Sequence, residues 1–216
     1  GNIAYSTPRL LVVDTAPPAT ATPVSPSGIE TTAPTILFQW TTASDSLSGP
    51  ASHRIQVDTT GAFTNLVADS NAGQATSGTI TLVGSETFHW RILASDSAGN
   101  TTASSELVFV IDTTAPTAAT LTGPADATET NLTTVSFSWT SAVDALSGLA
   151  AHRLQIDTAG TFANLLVDSA PGLATSGART LSANALYYWR VMATDDAGNT
   201  AATTARTLLI DTLVSV

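Results

Sequence analysis

The chain has 216 residues, 43% apolar and only 11% charged, with seven basic residues, 17 carboxylates and a net charge of −10. That is enough for two domains with real cores, and the negative field disfavours nucleic acid and anionic membranes while attracting cations. Without Lys or Cys, a Lys–Asn isopeptide crosslink, a disulfide frame and a thiolate metal site are all excluded.

Taken in chain order, Gly1 to Thr15 (GNIAYSTPRLLVVDT) comes first and resembles Gly99 to Thr113 (GNTTASSELVFVIDT). Residues 1–13 therefore read as a final strand without the strands that should precede it. Short runs rich in Val, Ile, Thr, Phe and Trp then alternate with Gly, Ser, Asp, Asn and Pro clusters, which is a β signal. Strands are expected at 18–24, 34–41, 52–58, 63–68, 78–83, 87–96 and 103–111. A second set is expected at 117–122, 133–140, 151–157, 162–168, 178–182, 186–195 and 202–210. No run has a helical period long enough to compete. None approaches the ~20 apolar residues that span a bilayer. No signal peptide is visible, so any export signal is expected upstream or already removed.

The two sets are one module written twice. DSLSGPASHRIQVD from Asp45 to Asp58 returns as DALSGLAAHRLQID from Asp144 to Asp157, 99 positions later. WRILASDSAGNT from Trp90 matches WRVMATDDAGNT from Trp189 at the same offset. Matched positions expose what the module needs in both copies. Alternation puts Phe88, Trp90, Ile92 and Ala94 on one face, and Tyr187, Trp189, Val191 and Ala193 on the equivalent face. Ile36, Phe38 and Trp40, and then Val135, Phe137 and Trp139, give a second apolar face. Each module would hold two Trp in its core.

The expected fold is all-β: two tandem seven-stranded immunoglobulin-like (fibronectin type III-like) β-sandwiches over 14–111 and 112–216. The Asp-Thr-Thr-Ala-Pro linker at 112–116, the Leu-Ser-Gly loop at 146–148, the His-Arg-Leu-Gln-Ile-Asp strand at 152–157 and the Tyr-Tyr-Trp-Arg-Val strand with its Asp-Asp-Ala-Gly-Asn turn (187–199) carry a resemblance. The chain resembles the fibronectin type III-like or bacterial immunoglobulin-like tandem repeats of large extracellular surface proteins. The resemblance covers nearly the whole chain and implies a module type, not an activity. It also implies a tyrosine corner at Tyr187, six residues after Leu181. Phe88 keeps the packing without the hydroxyl, so the corner is expected only in the second module.

Loops alternate between the two poles of a sandwich, and one pole collects Asp. In the first module these are Asp14, Asp45, Asp69, Asp96 and Asn100. In the second they are Asp112, Asp144, Asp168, Asp195, Asp196 and Asn199. Carboxylates gathered at one pole repel unless a cation intervenes, and Ca²⁺ takes 6–8 oxygen ligands of this kind. Asp14, Asp45, Asp96 and Asn100, and then Asp112, Asp144, Asp195 and Asn199, are the candidate metal ligands. Ca²⁺ there would stiffen the joint, because the linker Asp belongs to neither core. The competing account is that each Asp caps its own turn, and no EF-hand spacing is present. Asp58 and Asp157 lie at the other pole and read as turn formers. His53 and His152 recur beside Arg without a second His or Cys, and read as packed structural residues. His89 becomes Tyr188 in the other copy. No Gly-x-Ser-x-Gly elbow, phosphate loop or acid–base carboxylate pair is marked, so no catalytic residues are assigned and no enzyme is expected. Asn100 and Asn131 open N-glycosylation patterns, while exposed Thr equally suits a strand.

The expected function is a non-catalytic extracellular structural repeat of a bacterial surface or secreted protein: a stalk, spacer or filament element. Its partners would be neighbouring modules or subunits, with surface receptors or glycans as further candidates, and neither nucleic acid nor an inserted membrane. Two alternatives stand. Residues 1–13 could join subunits head to tail by strand addition, or the chain could be a carbohydrate-binding accessory module of a secreted enzyme.

Overall fold

The computed structural model describes residues 13–28 and 30–213, together with Ile3 and Thr7. Most of the segment expected to be a final strand, 1–13, lies outside the described residues. The chain divides into two compact units. One comprises Gly1–Ile29, Ala33–Val83 and Thr87–Phe109; the other comprises Val110–Val216 with Glu30–Thr32 and Gly84–Glu86.

Every regular element among the described residues is a strand. The first repeat holds β1 (Pro23–Ser25), β2 (Glu30–Thr31), β3 (Thr35–Trp40), β4 (Pro50–Asp58), β5 (Ala68–Gly73), β6 (Ser77–Thr81), β7 (Glu86–Asp96), β8 (Thr101–Ala103) and β9 (Leu107–Ile111). The second repeat holds β10 (Leu121–Gly123), β11 (Thr128–Thr130), β12 (Thr134–Trp139), β13 (Leu149–Asp157), β14 (Val167–Gly172), β15 (Ser176–Thr180), β16 (Ala185–Asp195), β17 (Thr200–Ala202) and β18 (Arg206–Ile210). The sheets are β1-β3-β6 and β2-β9-β7-β4-β5, with β8 also on β7; the second repeat copies both as β10-β12-β15 and β11-β18-β16-β13-β14, with β17 on β16. Each repeat is thus a two-sheet sandwich.

Nine strands per repeat, not seven, are seen among the described residues. The first expected strand is seen only as the short β1 or β10, where β10 pairs antiparallel with β12; a strand the sequence reading did not expect, β2 or β11, follows on the other sheet, where β11 pairs parallel with β18. The last divides because Ser104 and Thr203 sit at a break, where their hydroxyls accept the Ile92 and Val191 N–H groups at 2.9 and 3.2 Å.

The fourth strand starts later than expected in both repeats. Residues 63–68 and 162–168 read as strand because they are apolar, yet the strand begins at Ala68 and Val167 and runs through ADSNAG and VDSAPG. Phe63 and Phe162 take positive φ, 54° and 56°, which ends any extended run there. Each ring lies under an arginine, Arg91 or Arg190, with the guanidinium 4.1 Å from the ring centroid. The polar strand is an edge strand, where Pro171 and a Gly are tolerated.

The alternation of the two central strands holds. Tyr187, Trp189, Val191 and Ala193 are buried, as are Phe88, Trp90, Ile92 and Ala94. The second core gathers Val135, Phe137, Trp139, Leu154, Ile156 and Leu208 around Trp189. Phe137 meets Trp189 edge-on at 5.0 Å between centroids, as Phe38 meets Trp90. The expected corner forms: Tyr187 Oη donates to the Ser182 carbonyl at 3.0 Å. Phe88 occupies the equivalent place, fully buried.

His53 and His152 are core residues. Their Nε2 atoms accept the Ala43 and Ala142 N–H groups at 3.0 and 3.1 Å, so each ring must be neutral at that nitrogen. Each stands edge-on to a Trp, Trp40 or Trp139. Desolvation lowers the pKa of His152, outweighing the upward pull of the Ala174 and Gly172 backbone. A depressed folded pKa means the unfolded chain takes up the proton first. The stabilisation from His152 is complete above the unfolded value, about 6.5, and is lost as pH falls from there through the folded pKa. The urea midpoint of the second sandwich should therefore drop as pH falls below about 6.5. His152→Gln should flatten that dependence; an equally steep profile in the variant would assign it elsewhere.

Candidate metal centres in the two sandwiches

The loops that follow β3 and β12 carry Asp45 and Asp144 at their fifth position, where a carboxylate can tie up a tight turn's backbone. Asp45 Oδ1 accepts the N–H groups of Leu47, Ser48 and Gly49 at 3.0, 2.8 and 2.9 Å. Asp144 Oδ1 does the same with Leu146, Ser147 and Gly148 at 3.0, 2.9 and 3.0 Å. Gly49 and Gly148 close these loops at φ 75° and 93°, which only Gly adopts without strain. These bonds all go to one oxygen of each carboxylate, leaving the other available.

Asp96 and Asp195 end the long strands β7 and β16 and are buried at 3% and 1% exposure. Asp96 Oδ1 accepts the Ala98 and Asn100 N–H groups, both at 2.9 Å. Asp195 Oδ1 accepts the Asn199 N–H at 2.7 Å. Their second oxygens receive Nδ2 of Asn100 at 2.8 Å and of Asn199 at 2.9 Å. The same amide nitrogens reach the main chain: Asn100 donates to the carbonyls of Asp14 and Ala16, both at 3.2 Å, and Asn199 to that of Asp112 at 3.0 Å. Both Asn residues thus fasten the Asp that enters their own cluster.

Asp14 and Asp112 complete the arrangement. Asp112 is fully buried. Its Oδ1 accepts Ser85 Oγ and the Thr114 N–H, both at 2.9 Å, and its Oδ2 the Ser147 N–H at 3.2 Å. Burial pushes the Asp112 carboxyl up, but the bonds from Ser147, Thr114 and Ser85 outweigh it and hold the group below its ordinary range. Asp45 and Asp96 are held down in the same way against desolvation, by Ser48, Gly49 and Leu47 in one case and Asn100, Gly99 and Ala98 in the other. Asp14 Oδ1 accepts the Ala16 N–H at 3.0 Å, while its Oδ2 is buried with no partner.

The three carboxylates meet in each repeat. One oxygen each from Asp14, Asp45 and Asp96 lie within 4.8 Å of one another, and likewise for Asp112, Asp144 and Asp195. Turn capping and convergence therefore coexist. The caps orient the carboxylates, and the convergence sets three of them side by side. Hard oxygen donors of this kind suit Ca²⁺.

Asp69 and Asp168 do not join these groups. They lie on β5 and β14, because those strands start later than the sequence indicates, and they pair with Arg54 and Arg153; Arg54 Nε to Asp69 Oδ1 is 2.9 Å and Arg153 Nη2 to Asp168 Oδ2 is 2.5 Å. Asp58 and Asp157 form turns. Asp157 Oδ1 accepts the Thr158 N–H at 2.7 Å and its Oδ2 accepts the Phe162 N–H at 2.7 Å, which holds Phe162 in its left-handed conformation.

No histidine of the described residues faces a serine as a base would: His53 and His152 accept backbone N–H groups, and His89 Nδ1 meets Glu106 Oε2 at 3.2 Å. No described helix is long and apolar enough to cross a membrane. No described aromatic side chain is among the exposed large hydrophobics. One pair of contacts gave no sequence signal. Arg206 donates to the carbonyls of Pro124 and Leu121 at 2.6 and 2.7 Å, where the first repeat instead has Trp90 Nε1 donating to the Pro26 carbonyl at 2.9 Å.

No family model matches the chain, and no curated protein does. Among solved structures, the fibronectin(III)-like modules of Clostridium thermocellum CbhA are 14% identical at a TM-score of 0.46, over 88% of this chain and 94% of that one. The FN1–FN3 domains of chicken CNTN1 are 16% identical at a TM-score of 0.45, over 91% and 69%. Scores this low carry no argument, and the sandwich architecture rests on the strand order above.

Proposed function

We propose that the chain is a non-enzymatic structural repeat, a spacer or stalk segment of an extracellular, bacterial surface protein, and that each sandwich is stiffened by one bound Ca²⁺. The observation that carries the reading is the repetition of the carboxylate trio, with a chain-entry Asp, a loop Asp and a strand-end Asp in each copy. A catalytic site is usually built once, whereas a mechanical element is repeated. In the second unit, Ca²⁺ held by Asp112, Asp144 and Asp195 would tie the Asp-Thr-Thr-Ala-Pro segment to the head of that sandwich, and Pro116 restricts the backbone at the end of that segment. Asp14 would do the same in the first. Asn100 and Asn199 support the ligands by holding the backbone at Asp14 and Asp112.

Small-angle scattering tests the mechanical part. Ca²⁺ should narrow the distribution of maximum dimensions relative to chelator, and Asp112→Asn should erase part of the effect. Identical distributions with and without the ion reject stiffening. The accessory carbohydrate-binding alternative is disfavoured by the absence of an exposed aromatic row among the described residues. The head-to-tail alternative draws on Val13, an apolar residue 72% exposed. Concentration-dependent growth in sedimentation, abolished by deleting residues 1–13, is its expected result; equal growth of the deleted chain rules it out.

A further inference from the structure

Two side chains tie the segment by which the chain enters the second sandwich to the strand by which it leaves. Arg206, the first residue of β18, forks onto the Leu121 and Pro124 carbonyls at 2.7 and 2.6 Å, with its guanidinium 6.0 Å from the Trp189 ring centroid. β10 and β18 belong to different sheets, so the fork bridges the two layers. Just beyond Pro124, Asp126 Oδ1 accepts the Thr207 N–H at 2.8 Å and Thr207 Oγ1 at 3.2 Å. β11 then lies parallel to β18, with Thr128, Glu129 and Thr130 opposite Leu208, Leu209 and Ile210.

The first sandwich is built otherwise. Leu107 stands where Arg206 does and has no side-chain donor, and residues 26–29 (PSGI) carry no carboxylate. The Pro26 carbonyl is held instead by Trp90 Nε1 at 2.9 Å. That bond comes from β7, which neither receives nor releases the chain. The repeat that copies the core tryptophans, the histidines and the acidic trios does not copy this tie.

Tension gives the tie a consequence. A pull from both sides draws the entry segment toward its N-terminus and β18 toward its C-terminus. Because β11 and β18 run parallel, the two pulls slide one strand along the other. Their evenly spaced bonds then bear the load together rather than opening one at a time. The Arg206 fork and the Asp126–Thr207 bonds lie on the same path, and bonds with a charged partner are among the stronger ones.

We propose that Arg206 and Asp126 form a latch that makes the second sandwich the stronger of the two under tension, so that a stretched chain yields first in the first sandwich. The proposal rests on the structural-repeat role and sharpens it, from a uniform spacer to one that yields in a set order. The latch uses none of the acidic-trio residues, so its test is run in chelator.

The test holds the full chain at constant force between handles at its two ends and reads the dwell time before each sandwich unfolds, a quantity set by the unfolding rate. Two extension steps report that both sandwiches are folded. Arg206→Leu should shorten the longer dwell by about tenfold or more, the scale of lost charge-assisted hydrogen bonds, and leave the shorter one unchanged. Asp126→Ala, at an exposed position, should act in the same direction, and it decides the matter if Arg206→Leu shows only one step. Ile156→Val loosens the core on β13, away from entry and exit, and should shorten the longer dwell less. A longer dwell untouched by the latch variants overturns the inference. So does a shortening confined to the shorter dwell, or an Ile156→Val effect as large as that of Arg206→Leu. Each of these outcomes leaves metal-linked stiffening to its own scattering test.

Discussion

Trp189→Ala should destabilise the second sandwich by about 3–5 kcal/mol, the range for removing a large buried aromatic. Trp189 is 0% exposed, edge-on to Phe137 and at the centre of the second core. The collapse available to fill the space is limited, because β13, β16 and β18 are hydrogen-bonded neighbours on one sheet. With total stabilities of about 5–15 kcal/mol for domains, the variant should shift the urea midpoint of the second sandwich strongly. The first should be little changed, since its own core contains Phe38, Phe88 and Trp90. Urea unfolding followed by hydrogen exchange separates the two. A single shared loss would mean that the sandwiches unfold as one unit.

The second large effect is metal-linked. Ca²⁺ at about a hundredfold excess over its dissociation constant should add about 2.7 kcal/mol to each sandwich that binds it. For a domain of this size that corresponds to a rise of roughly 10–20 °C in melting temperature. Asp195→Asn should remove the rise from the second sandwich and leave it in the first, and Asp96→Asn should do the reverse. Differential scanning with excess Ca²⁺ against chelator reads both. An unchanged melting temperature in the parent leaves only the turn-capping role of these residues.

Much of this is legible because the chain repeats itself. The matched Trp, His and Asp positions identify two copies, and strict alternation on the long strands gives their core faces, down to Phe88 standing for Tyr187. The acidic trios can be assembled from the strand order alone, since loops that alternate between poles bring Asp45 to Asp14 and Asp144 to Asp112. Hydrophobicity misleads where backbone handedness intervenes. The stretches from Phe63 and Phe162 look like strands, but their rings serve as seats for Arg91 and Arg190, and the real strand is the polar one beyond them. That shift in turn carries Asp69 and Asp168 out of the acidic group and onto Arg54 and Arg153. Spacing marks Asn100 and Asn199 as oxygen donors to a metal, but it does not reveal that their amide nitrogens also hold a carboxylate and a main-chain carbonyl. Arg206 is silent in the sequence because its partners are backbone carbonyls, which carry no residue signature.

The most direct test of a calcium-stiffened repeat is a calorimetric titration of the metal-free chain with Ca²⁺. The account predicts binding heat with one site per sandwich, reduced to a single site by Asp112→Asn together with Asp195→Asn. No binding heat at millimolar Ca²⁺, from a chain that is folded by hydrogen exchange, would contradict it.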